Sequence, residues 1–353
     1  AGIFLSSGKV AHAYTTVDSY IPSDTTWTKE NSPYVITGSV TIPSTATLTI
    51  EPGVIVKFKR GDNWMQILGT LIVDGILKAD ATPQDPIYFT SFSDDTVGGD
   101  TNGDGDATLP ASSGYPNPLG NGIQLTNSIS PSILNNVYIK YNYTALTIKD
   151  GNHQITNAHL IDNSKGIWME GGNIEVTNAE IKVPDYYGGY GVYFYTPQLP
   201  NSSLIIRDSK ISARQGIVVG GGNFKLLNSE IDNNEFSGSI GITISSDTKA
   251  VLSGNIFRGF YDAALRIYSG SLDLQSNTFI SNKFAAISYY GGTLTSDGKN
   301  TADSAFLLGG IPNNLTLTKE FIYVVRAPAT VSSIATLTIN PGVIVKFDRL
   351  YDY

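Results

Sequence analysis

From residue 122 onward, apolar and polar residues alternate in short bursts. The bursts return every 21 to 25 residues: GIQLT at 122, ALTIK at 145, GIWME at 166, GVYFY at 191, GIVVG at 216, GITIS at 241, ALRIY at 264 and AISYY at 286. A period of two is the mark of a β-strand with one buried face. The buried face is a column running Ile123, Leu146, Ile167, Val192, Ile217, Ile242, Leu265, Ile287. A second column runs Leu125, Ile148, Met169, Phe194, Val219, Ile244, Ile267, Tyr289. Such columns follow if each burst is one rung of a coil and equivalent residues stack about 4.8 Å apart. A second strand precedes each burst: NNVYI at 135, TNAHL at 156, TNAEI at 177, RDSKI at 207, LNSEI at 227, SGNIF at 253 and QSNTF at 275. Asn136, Asn157, Asn178, Asp208 and Asn228 fall in register before it, and Asn255 and Asn277 sit one place later. Asn tolerates a left-handed bend, and stacked Asn side chains can bond one another along the axis. The pattern predicts an Asn ladder at one corner.

One stretch occurs twice. Residues 46–58 read ATLTIEPGVIVKF and residues 335–347 read ATLTINPGVIVKF, differing only at Glu51 and Asn340. Pro followed by Gly at the centre marks a type II turn between two strands, hence a coil corner. Tyr34 and Val35 match Tyr323 and Val324 at the same offset. The chain therefore holds one full unit and the opening of another. A solenoid end needs a cap, because unpaired strand edges recruit other strands. The second copy reads either as a stacking end, for further tandem units or other copies of the chain, or as a private cap in which Leu337, Ile339, Val343, Val345 and Phe347 pack on the last coil.

The succession LTIxPGVxVKF, then GTLIVDGILKA at 69 and PIYFTS at 86, resembles the first coils of secreted bacterial and archaeal β-helix surface proteins. Together with the recurring rungs, roughly residues 34 to 310 resemble the right-handed parallel β-helix of the pectate-lyase-like superfold. That resemblance implies an all-β solenoid, and it carries the handedness together with the general rule on parallel crossovers. It names no single activity. The division expected is an N-terminal extension at 1–30, a β-helix at 31–317 with a long acidic insertion at about 93–121, and the truncated second copy at 318–353.

Composition narrows the function classes. The 353 residues are 41% hydrophobic and only 15% charged, with net charge −8, which argues against nucleic acid and anionic membranes as partners. There is no cysteine, so disulfides and thiolate metal sites are excluded. Residue 1 is Ala, which reads as a processed or excised chain, and no early apolar run is long enough to span a membrane. The expected location is extracellular, at a cell surface. Sequons at Asn142, Asn201 and Asn314 matter only if the source glycosylates exported proteins.

Three kinds of candidate chemistry stand out. Residues 94–106 read DDTVGGDTNGDGD, in which Asp100, Asn102, Asp104 and Asp106 follow the spacing of a calcium loop, with Asp94 or Asp95 able to add a carboxylate. A structural Ca²⁺ pinning the insertion is expected. Trp168 and Tyr193 should point outward on adjacent rungs, with Tyr195, Tyr268 and Tyr290 in the other outward column and Tyr186, Tyr187 and Tyr190 in the loop beside them. Exposed aromatic rows are contact surfaces for partners such as sugar rings, although they also stabilise sheets through cross-strand pairs. Catalysis by a polysaccharide lyase or glycosidase is implied only by the shared fold. Its carboxylates would have to come from Glu170, Glu180 and Asp185, and the three histidines have no metal-binding spacing. The expectation is a non-catalytic structural, self-assembling or adhesive module, with a carbohydrate-binding adhesin as the first alternative and an enzyme as the second.

Overall fold

The computed structural model describes residues 13–59, 69–105, 107–110, 121–126, 130–184, 189–196, 199–233, 238–326 and 329–348. Their strands form three long parallel sheets of 12, 13 and 11 strands and one pair, and the only helical element among them is a 3-10 turn at Lys29–Asn31. Every pairing between consecutive strands of a sheet is parallel and joins residues one coil apart, as from Leu146 to Ile167 to Val192. No helix among the described residues is long and apolar enough to cross a membrane.

Both apolar columns are realised in the 13-stranded sheet. Ile123, Leu146, Ile167, Val192, Ile217, Ile242, Leu265 and Ile287 pair rung to rung. Residues of both columns are at most 1% exposed and belong to one continuous core. Gly166, Gly191, Gly216 and Gly241 stand second in these strands because a Cβ there would run into the carbonyl of the rung above. The 11-stranded sheet, with strands such as Asn173–Thr177 and Ser203–Arg207, is a third face that the sequence pattern did not single out. Residues 15–17 and 25–27, expected in an extension, already pair with the coil that follows them.

The corner resolves into an outer left-handed column, with one bond between its members, and a buried ladder. Asn136, Asn157, Asn178, Asp208 and Asn228 take left-handed backbone with φ between 48° and 52°. Along this outer column Asn178 Nδ2 donates to Asn157 Oδ1 at 2.6 Å. One residue later the chain turns inward, and a buried ladder begins with serine and ends with asparagine. Ser209 N–H donates to Ser229 Oγ, Ser229 N–H to Asn255 Oδ1, Asn255 N–H to Asn277 Oδ1 and Asn277 N–H to Asn300 Oδ1. These side chains satisfy backbone groups that a corner would otherwise strand inside the core.

The acidic loop and the aromatic face

The acidic loop leaves the solenoid after Ile87–Ser91 and folds back over the 12-stranded sheet. It closes on Lys57, the lysine of the first VIVKF. Lys57 is fully buried, and its Nζ donates to Asp94 O and Gly99 O, both at 2.9 Å, and to Thr101 Oγ1 at 2.5 Å. Burial pushes the Lys57 pKa down, while Asp94, Asp95 and Asp100 pull it back up. The Asp94 side chain turns inward. It accepts from Thr90 Oγ1 at 2.5 Å and from Thr96 N at 3.1 Å, and lies 3.8 Å from Lys140 Nζ. Asp94 is thus a hub of the loop and stands apart from the acidic cluster. Asp95, Asp100 and Asp104 do converge, with one carboxylate oxygen of each within 4.8 Å of the others. The Asp100 oxygens accept from Gly103 N at 2.7 Å and Gly105 N at 2.8 Å, while Asn102 holds Thr108 through Nδ2. Asp106 lies outside the described residues. Part of the positive charge that such a loop requires comes from Lys57 and Lys140.

The aromatic face lies on the 13-stranded sheet. Trp168 and Tyr193 stack at 4.1 Å between centroids and 14° between planes, so each ring hides a face against the other. Lys165 Nζ lies 4.6 Å from the Trp168 ring, and Trp168 Nε1 donates to Glu170 Oε1 at 3.0 Å. Tyr190 meets Tyr193 edge-on at 5.1 Å, and Tyr195 tilts beside it at 5.9 Å. Burial, then the neighbouring Tyr190 and Tyr195, raises the Tyr193 pKa. Tyr195 differs from the others. Its ring lies across Gly220 on the next rung, where a Cβ would collide with it, and the residue is 43% exposed. Tyr268 and Tyr290 stack at 5.2 Å and are each 48% exposed, but the rungs of Gly220 and Ser245 separate them from Tyr195. The face therefore holds two patches. Tyr186 and Tyr187 lie outside the described residues.

Glu170 and Glu180 do not come together. Glu170 follows the strand Lys165–Met169 of the 13-stranded sheet, whereas Glu180 begins the strand Glu180–Lys182 of the 12-stranded sheet, and Asp185 lies outside the described residues. Period-two alternation assigns both glutamates outward but not to which face of the prism. Glu180 instead lines a groove of about 960 Å³ with Asn157, His159, Asn178, Lys210 and Glu230, which sequence reasoning missed. His159, Glu180, Lys210 and Glu230 are paired along the axis, whereas Asp208 also lines the groove. His159 Nδ1 lies 3.0 Å from Glu180 Oε2, Lys210 Nζ 3.1 Å from Asp232, and Arg258 Nε 3.5 Å from Glu230.

Comparison with known proteins bears on the fold. The family model described as right handed beta helix region matches residues 146–302. No curated protein matches the chain. Among solved structures, an alginate lyase from Paenibacillus sp. str. FPU-7 is similar over 87% of this chain and 92% of that one, at 16% identity and a TM-score of 0.42. A likeness that distant carries no argument about activity. With the parallel three-sheet topology, the family match makes the chain an all-β, right-handed parallel β-helix.

Proposed function

We propose that this chain is a non-catalytic extracellular β-helix module that adheres to polysaccharide through its aromatic face. The observation that supports this reading best is Tyr195. Its ring is laid over the Gly220 backbone and solvent-exposed, next to Tyr193. A ring held flat offers one apolar face to the C–H face of a sugar at little conformational cost, while neighbouring polar groups orient the hydroxyls. Glu170 and Lys165 are such groups. Trp168 and Tyr193 have spent their faces on each other and act as the support. The acidic loop serves stability in this reading, with Asp95, Asp100 and Asp104 sharing a calcium ion that fixes the insertion to the sheet.

The test is retention by insoluble cellulose and chitin. Wild type should sediment with at least one of them. Tyr195→Ala should lose most of that retention, and the pair Trp168→Ala and Tyr193→Ala should weaken it through loss of support. Retention of wild type by neither polymer, or of Tyr195→Ala at the wild-type level, contradicts the proposal.

A further inference from the structure

The second copy of the repeated motif is a structural replica that reaches further than the thirteen residues. Tyr34 pairs with Val56 in the first copy, and Tyr323 with Val345 in the second. Thr25 pairs with Leu48, and Leu315 with Leu337. Thr28 N–H donates to the Tyr34 hydroxyl at 2.9 Å, and Thr318 N–H to the Tyr323 hydroxyl at 3.0 Å. Ile21 N–H donates to Thr41 O, and Ile311 N–H to Thr330 O, both at 2.9 Å. The rung below also has its counterpart, since Thr15 pairs with Tyr34 as Phe306 pairs with Tyr323. Residues 311–347 thus repeat the pairings of residues 21–58, with the strand Ser39–Ile42 reduced in the second copy to a single bridge between Ile311 and Val331.

What differs is the rung above. Over the first copy lies the coil of residues 70–91, with Leu48 on Leu77, Ile50 on Ala79 and Val56 on Phe89. Ile50 and Phe58 are each 1% exposed there, whereas their equivalents Ile339 and Phe347 are 53% and 79% exposed. We propose that the coil of residues 329–348 is a stacking face for a second copy of this unit. Because residues 329–348 stand in for residues 47–58, the unit that seats on them begins at residue 59, and its residues 70–91 lie on them as residues 70–91 of the first unit lie on residues 47–58. The occupant is fixed by the register. A coil built to receive this partner is present twice, and one example already holds it. Lys346 would then take the place of Lys57 beneath the second unit's acidic loop.

The junction also sets the symmetry. Tyr34–Ile36 and Ile55–Phe58 belong to the 12-stranded sheet, but Ile322–Val325 and Ile344–Phe347 belong to the 13-stranded one. A second unit is therefore turned by one face of the three-sided prism. Successive aromatic faces point to different sides, and every third unit points the same way.

The experiment is a tandem chain in which residues 59–348 follow Phe347 directly. The expected product is one straight rod, about twice the length of the single chain by electron microscopy. Ile339→Asp with Phe347→Asp in the tandem chain should turn the rod into two units at variable angles. Two freely hinged units without those substitutions would overturn the proposal. A second arm uses the single chain and holds whether or not the tandem chain folds. Ile50→Asp should unfold the first coils, while Ile339→Asp should leave the melting curve nearly unchanged. Equal losses from the two substitutions would make the last coil a private cap and the proposal wrong.

Discussion

Replacing Asn277 by Leu keeps the branched shape of a fully buried side chain, at somewhat larger volume, and removes its polar atoms. Asn277 Oδ1 accepts from Asn255 N at 3.1 Å and from Asn255 Nδ2 at 2.9 Å. Its Nδ2 donates to Leu252 O at 2.8 Å and to Asn300 Oδ1 at 3.0 Å. The substitution leaves both Asn255 donors and the Leu252 side of the corner without that partner, in a core that water does not enter. A buried polar group left unsatisfied costs about 1–3 kcal/mol, so partial relaxation of three such groups gives a loss of about 3–6 kcal/mol. That approaches the whole stability of an ordinary domain. The loss should be local to the coils around residues 250–300, because repeats are stabilised by their neighbours. Urea unfolding and amide exchange of those coils measure it. Asp208→Gly is the matched control. It sits in the outer left-handed column at φ 51°, a conformation glycine adopts without strain, and should shift stability by less than about 0.5 kcal/mol. Equal effects of the two substitutions would refute the reasoning that the inner ladder stabilises the solenoid.

Two further outcomes concern titratable groups. His153 is 2% exposed, accepts from Ser132 N at Nδ1 and bonds Asp150 O through Nε2, which fits a neutral ring, and burial lowers its pKa despite the opposing pull of Asp150. Below about pH 6.5 the unfolded chain therefore takes up a proton that the folded chain resists. Stability is full above that pH and falls as pH drops toward the folded-state value; His153→Gln should flatten melting temperature against pH between 7.5 and 5, and an unchanged slope counts against it. If Asp95, Asp100 and Asp104 share calcium, a chelator should lower the melting temperature of wild type and not of Asp104→Ala, since a ligand at 100 times its Kd adds about 2.7 kcal/mol; identical curves with and without chelator remove calcium from the account.

Much of the solenoid was legible because stacking repeats one local rule. The columns from Ile123 to Ile287 and from Leu125 to Tyr289 are visible as alternation, and every residue in them is buried as expected. The left-handed corner at Asn136, Asn157 and Asn178 was legible for the same reason, since few side chains tolerate φ near 50°. The 11-stranded sheet was missed although left-handed glycines such as Gly172, Gly222 and Gly270 stand just before its strands, because these glycines close the previous rung in sequence and the strands after them, such as Asn223–Leu227, share no recurring motif. The sites were harder to read. Asp94 carries the same sequence signal as Asp100, but the fold puts it against Thr90 and Lys140, and only the tertiary path of the insertion decides that. Outward aromatics could be named, whereas which ring keeps a free face depends on whether the next rung supplies a side chain or, as at Gly220, none.

The repeated stretch allows the most direct test of the whole account, because sequence is held nearly constant while the rung above is changed. Amide hydrogen exchange of the wild-type chain should be compared at Leu48–Ile50 and Ile55–Phe58 against Leu337–Ile339 and Ile344–Phe347. Opening energies in one protein run from near zero at fraying ends to the global value in the core. Stacking under residues 70–91 should place the first set near the global limit, and the open upper face should let the second exchange through local opening. Equal protection of the two sets would contradict the account.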